Sequence, residues 1–158
     1  IRFLLIIFSQ TIFPIVCEKT KEGWLALRQY LRNAFLLFFG APIMAVILLA
    51  LCADPIFLYF AGDVNDELLY SLRLYLIVPL VTLLNIPAYQ ILLAYDLKTA
   101  YVTVLLSGLV ENLLLAYWIT KEFKLNGLIC ALLIVESWVT IGLYLMLNKH
   151  RNLITKHG

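Results

Sequence analysis

The sequence predicts an all-α membrane protein, a polytopic bundle of about five transmembrane segments with the first cut short. Three observations carry that prediction. Hydrophobic residues make up 63% of the 158 residues and charged residues 14%, with a mean hydropathy of +0.94, whereas a soluble domain averages about 45 to 50% apolar and about 25% charged. Several apolar runs reach the length of about 20 residues that a helix rising about 1.5 Å per residue needs to cross about 30 Å of hydrocarbon. Lysine and arginine also crowd the connections on one side of those runs, the bias that orients membrane helices.

The first run, Ile1 to Val16, is short and opens without an initiator methionine. Pro14, Cys17 and Glu18 end it where a signal peptide would carry a small-residue cleavage site, so the chain is expected to be the C-terminal piece of something longer. Next comes CEKTKEGWLALRQYLRN, in which Trp24, Leu27 and Leu31 share a helical face and Arg28 and Arg32 share another. That pattern predicts an interfacial amphipathic helix over 18–33. The second run, Asn33 to Ala53, is long enough to span, and the acidic stretch DPIFLYFAGDVNDE after it reads as a loop.

The third run, Leu68 to Tyr95, carries Arg73, Pro79, Asn85, Pro87 and Gln90, which a plain anchor does not need. Each proline removes a backbone hydrogen bond and crowds the carbonyl four residues back, so Pro79 and Pro87 are expected hinges in a broken, cavity-lining helix. Thr99 to Thr120 and Gly127 to Leu147 complete the set, and 148–158 is a basic tail. The connections are too short for a soluble domain, which makes 1–158 one transmembrane domain of antiparallel neighbours. Lys19, Lys21, Arg28 and Arg32, then Lys98, then Lys149, Arg151 and Lys156 fall on one side, which the positive-inside rule makes cytoplasmic. The C-terminus is therefore expected to be cytoplasmic, in a multi-pass protein of the cytoplasmic membrane.

A net charge of +2 is too small to point to nucleic acid. Cys17, Cys52 and Cys130 are widely spaced in apolar surroundings and read as packing residues, and His150 and His157 belong to the basic tail. No HExxH, GxSxG, Walker-type or clustered-aspartate pattern is present, so neither an enzyme nor a bound cofactor or metal is expected. Ionisable residues at bilayer depth are costly and usually face a bundle interior or an aqueous cavity. Arg2, Arg73, Glu111 and Glu136 are the ones placed there by residue count, with the two glutamates near the midplane of consecutive helices. Thr99, Thr103, Ser107 and Glu111 form a ridge at spacing four with Asn112 beside its end, and Glu136 and Thr140 repeat the spacing. The hydroxyls could glue helices together or line a lumen. Glu111, Asn112, Glu136 and Thr140 are the candidate ion-coupling set, exchanging a proton or holding a cation. Arg2, Arg73 and Asn85 are the candidate substrate contacts, since guanidinium groups bind phosphate in a forked geometry; for Arg73 the competing reading is snorkelling to the outer interface.

SQTIFPIVCE, DPIFLYFAGD, NIPAYQILLAYDLKTAYVTVLLSGLVENLLL and KLNGLICALLIVES, in that order, resemble the C-terminal half of the O-antigen and polysaccharide-unit flippases of the multidrug, oligosaccharidyl-lipid and polysaccharide exporter superfamily. The resemblance covers nearly the whole chain. It implies part of a two-lobed exporter fold in a bacterial inner membrane. The implied activity is alternating-access flipping of an undecaprenyl-pyrophosphate-linked oligosaccharide, an O-antigen or capsule repeat unit, driven by a proton or sodium gradient. The implied partners are that lipid-linked substrate, membrane lipids and a polysaccharide polymerase. A small-molecule exporter, a peptidoglycan-precursor flippase and a non-transporting membrane scaffold are the competing readings.

Overall fold

The computed structural model describes the backbone of residues 2–61 and 66–150, and the side chains at 2–8, 35–38 and 61 lie outside the described set. Six helices follow one another: α1 (Arg2–Glu22), α2 (Trp24–Leu51), α3 (Ala53–Ala61), α4 (Asp66–Tyr75), α5 (Ile77–Ala94) and α6 (Lys98–Lys149). No strand occurs among the described residues. Three stretches, Trp24–Leu51, Asp66–Ala94 and Lys98–Lys149, are long and apolar enough to cross a membrane.

The helix boundaries differ from the expected ones for local reasons. α1 runs past Val16 to Glu22, and α2 starts at Trp24. The separate amphipathic helix expected over 18–33 is therefore absent, its residues being shared between the end of one helix and the start of the next. Gly23 makes the division, because its φ of 110° and ψ of 163° lie where a side chain is strained. The expected acidic loop contains α3, whose IFLYF run is a helix with Asp54 in its first turn, where a negative charge meets the helix dipole favourably. The expected long third helix is interrupted at Leu76 into α4 and α5. Leu76 keeps helical angles of −64° and −17°, and its N–H still bonds Leu72 O at 3.0 Å, so the interruption is a bend just before Pro79 rather than an opened backbone.

α6 departs most from expectation, since the segments expected at 99–120 and 127–147 form one helical string with a single non-helical residue, Lys124, at φ 50° and ψ −127°. The string folds back on itself there. Its two arms, 98–123 and 125–149, pair with each other. Trp138 Nε1 donates to Ser107 Oγ at 3.2 Å. A Cβ placed on Gly108 would lie 2.5 Å from Val139 Cγ2, and one on Gly142 would lie 2.9 Å from Val104 Cγ1. Small residues facing branched ones let two antiparallel helices approach closely, which is how membrane helices pack where no water drives them together.

α5 is the element the others share. Its Ala88 and Leu92 pack with Val104 on the first arm and Val135, Val139 and Leu143 on the second. Its Ile91 packs on the opposite side with Ile12 and Val16 of α1 and Leu27 of α2. The α5 to α6 turn is closed by Leu97 N–H bonding Leu92 O at 2.8 Å, with Asp96 at φ 58°. That is a Schellman closure with an aspartate where glycine is usual, a residue whose short polar side chain tolerates the left-handed region. Lys124 has no such tolerance. Its Lys124→Gly variant is expected to raise thermal stability in detergent by about 1 kcal/mol, because relief of about 1 to 3 kcal/mol of backbone strain exceeds the added freedom of the unfolded chain.

Candidate functional site in the α5 and α6 cavity

A cavity of about 480 Å3 lies between α5 and the two arms of α6. Its polar lining comes from Thr82, Asn85 and Tyr89 on α5, Tyr101 and Asn112 on the first arm, and Glu136 on the second. The helical period explains why these meet. Thr82, Asn85 and Tyr89 stand at i, i+3 and i+7, one stripe of α5, and Gly108 and Asn112 at i and i+4 form the facing stripe of the first arm. Glu136 is thirteen residues from Lys149 and Glu111 thirteen from Lys98, so both lie at similar depth, about 20 Å from those ends at 1.5 Å per residue.

The centre of the site is a hydrogen-bonded cluster. Asn85 is 6% exposed, and its Nδ2 donates to Glu136 Oε2 at 3.1 Å. Thr140 Oγ1 lies 2.5 Å from Asn85 Oδ1 and 2.7 Å from the Glu136 carbonyl oxygen, and its one proton serves either acceptor. The structure thus joins Asn85, expected among the substrate contacts, to Glu136 and Thr140 of the ion-coupling set. Asn112 lines the same cavity. No Lys, Arg, His or Asp is among its described lining residues.

Glu111 is placed elsewhere. It lines a second groove of about 380 Å3 with Ser137 and Trp138 on the outer side of the hairpin, and its Oε2 is buried without a hydrogen-bond partner. The two glutamates share a depth but not a lumen, because Glu111 is three residues beyond Gly108 and Asn112 four, which puts them on opposite sides of the seam. The hydroxyl ridge mostly bonds its own backbone: Thr103 donates to Thr99 O at 2.8 Å, Ser107 to Val104 O at 2.8 Å and Ser137 to Leu133 O at 2.7 Å. Ser107, through Trp138, ties the two arms together as glue.

Arg73 does not line the cavity. It reaches Asp54 on α3, Nη2 to Oδ2 at 3.2 Å, with the two side chains 49% and 53% exposed. Exposed pairs contribute about 0 to 1 kcal/mol. Arg73→Ala is accordingly expected to change the unfolding free energy by less than about 1 kcal/mol in detergent melts, so any larger effect on activity would report function rather than folding. Arg2 is on α1, but its side chain lies outside the described residues, as does the tail beyond His150. Of the two expected hinges, Pro79 is buried at the bend and Pro87 sits inside α5 without interrupting it. Tyr144 Oη donates to Leu84 O at 3.3 Å, tying the second arm of α6 to the turn of α5 that precedes Pro87.

Thr82, Tyr89 and Tyr101 line the cavity without having been among the expected site residues. The signal was present in the i, i+3, i+7 stripe through Asn85. Tyr89 also bonds Ser9 of α1, and the fully buried Gln90 donates from Nε2 to Ser9 O at 2.9 Å. These bonds fix the rim of the cavity to α1, while a tilted ring contact at 5.9 Å sets Tyr89 against Tyr101. The site thus sets one carboxyl group, bonded by a carboxamide, on a mostly apolar cavity, the kind of place an ionisable residue in a helix bundle faces. No protein-family model, curated protein or solved structure matches the chain.

Proposed function

We propose that the chain is part of an ion-coupled transporter that flips an undecaprenyl-pyrophosphate-linked oligosaccharide across a bacterial inner membrane by alternating access, with Glu136 as the coupling carboxyl group. One observation carries the coupling role: at about 20 Å from the helix end, the Glu136 carboxyl group lines a 480 Å3 cavity and is held by Asn85. A scaffold helix bundle has no need of a carboxyl group on a cavity at that depth. The cargo is argued from the resemblance of NIPAYQILLAYDLKTAYVTVLLSGLVENLLL and its companion stretches to the polysaccharide-unit flippases.

In this reading Asn112 and Thr140 complete the coupling site and Asn85 belongs to it rather than to the substrate. Arg2 and Arg73 are the proposed phosphate contacts, Arg73 outside the cavity where it exchanges Asp54 for the headgroup. The cytoplasmic side is that of the Trp24 connection and the C-terminal end. The test is Glu136→Gln in the full-length protein, expressed in cells that depend on it for surface polysaccharide. Export is expected to fall at least tenfold at normal protein level, and undiminished export would refute the assignment.

A further inference from the structure

We propose that the groove on the outer side of the α6 hairpin seats a further transmembrane helix, one that carries a lysine or arginine near its middle and sets that cation against Glu111. The inference does not rest on the coupling-site reading, since Glu111 lines a different surface from Glu136.

The groove, of about 380 Å3, is lined by Glu111 from the first arm, by Ser137 and Trp138 from the second, and by the apolar Leu133, Ile134 and Ile141. Its own donors are already engaged. Ser137 Oγ donates to Leu133 O at 2.7 Å, and Trp138 Nε1 donates to Ser107 Oγ at 3.2 Å. What remains is one-sided: a carboxyl group, the lone pairs of the Ser137 hydroxyl and the face of an indole ring, each of which attracts a donor or a cation. Glu111 Oε2 is buried with no hydrogen-bond partner, a state that carries the full desolvation penalty of the atom. The terminal torsion of a glutamate is soft, so a donor arriving in the groove can meet either carboxyl oxygen.

Depth and shape select the occupant. Glu111 is thirteen residues from Lys98, about 20 Å along the helix and so beyond the reach of headgroup amines. A small-ligand pocket buries most of its ligand, whereas here Ile134, Trp138 and Ile141 are exposed, as are Val110 and Leu114 beside Glu111 on the first arm. At their helical spacing these residues make two apolar stripes with the groove between them, a shape that takes a helix. A second copy packed groove to groove brings the same acceptors to the same depth. It brings no cation, because Lys98, Lys121, Lys124 and Lys149 stand at the ends and the turn of α6. A helix with a basic residue at mid-span has the opposite need, since its charge is costly in hydrocarbon until it is paired. The contact meets both needs at once.

The test uses the full chain, labelled with a donor fluorophore in phosphatidylcholine vesicles, and a single-span leucine and alanine peptide that carries an acceptor fluorophore and one central lysine. A central residue meets the level of Glu111 whichever way the peptide inserts. Energy transfer is expected to show the lysine peptide associating at least about tenfold more tightly than the same peptide with leucine at its centre. Glu111→Gln, which keeps the shape of the side chain, should bring the two peptides to within about threefold of each other. A glutamate-centred peptide should in turn regain tight association with Glu111→Lys, a rescue that a folding defect cannot produce. Equal association of the lysine and leucine peptides with the wild type would overturn the cationic occupant. Retention of the lysine preference in Glu111→Gln would overturn the groove as its seat. Self-association of the chain without peptide, lost in Glu111→Gln, would overturn the partner helix in favour of a second copy. None of these readouts involves transport, so failure of the flippase reading is separately visible as normal export by Glu136→Gln.

Discussion

Gly127→Ala is expected to be the most damaging single methyl added to this chain, lowering stability by about 3 kcal/mol, at the upper end of the cost of overpacking. Gly127 sits just after Lys124, where α6 folds back, and is itself buried. A Cβ there would overlap the carbonyl oxygen of Ile119 and come within 2.9 Å of its carbonyl carbon. Side chains yield to overpacking by changing rotamer, but backbone yields only by moving the helix that contains it. The first arm would have to shift along its length, and with it the Asn112 and Tyr101 lining of the cavity. Loss of the cooperative thermal transition in detergent, or a drop in its midpoint well beyond that of Gly40→Ala, checks this. Gly40 is the matched comparison because a Cβ there meets nothing within 4 Å.

The same position shows what could and could not be read from the sequence. Hydropathy marks spans because the cost of polar groups in hydrocarbon is set by composition along the chain, and depth follows because the rise per residue is fixed. The matching depths of Glu111 and Glu136 are therefore legible in the sequence. Their facing was not readable from depth, since rotation about the helix axis is set by which residues pack. Gly108 and Gly142 were the available markers of the packing face, and with them Asn112 falls on the cavity side and Glu111 on the other. Gly23 escaped notice as a boundary because an isolated glycine within an amphipathic pattern is often tolerated, and only its φ of 110° reveals that it divides two helices. The Arg73 and Asp54 pair joins residues nineteen apart on two different helices, a contact that no helical period encodes.

The seam between the arms supplies the second large effect, and it separates packing from chemistry. Gly108→Ala is expected to cost about 2 kcal/mol, because its Cβ would meet Val139 Cγ2 at 2.5 Å and valine on a helix has essentially one rotamer in which to retreat. Val139→Ala alone should cost about 1 to 2 kcal/mol by leaving a cavity beside Leu143 and Val104. Combined, the two changes put a methyl where a methyl was removed. The double variant should therefore recover at least about 1 kcal/mol relative to the sum of the single losses, a coupling of the size found for residues in direct contact. Gly108 and Val139 also line the cavity that holds Glu136, which is one turn from Val139. Separating the arms at Gly108 thus draws Glu136 away from the Asn85 amide on α5, while the paired change restores the spacing. A thermal-melt cycle in detergent on the wild type, the two single variants and the double measures the coupling. Purely additive losses would mean that the arms do not meet at this pair, and the account of how the hairpin positions Glu136 would fall with it.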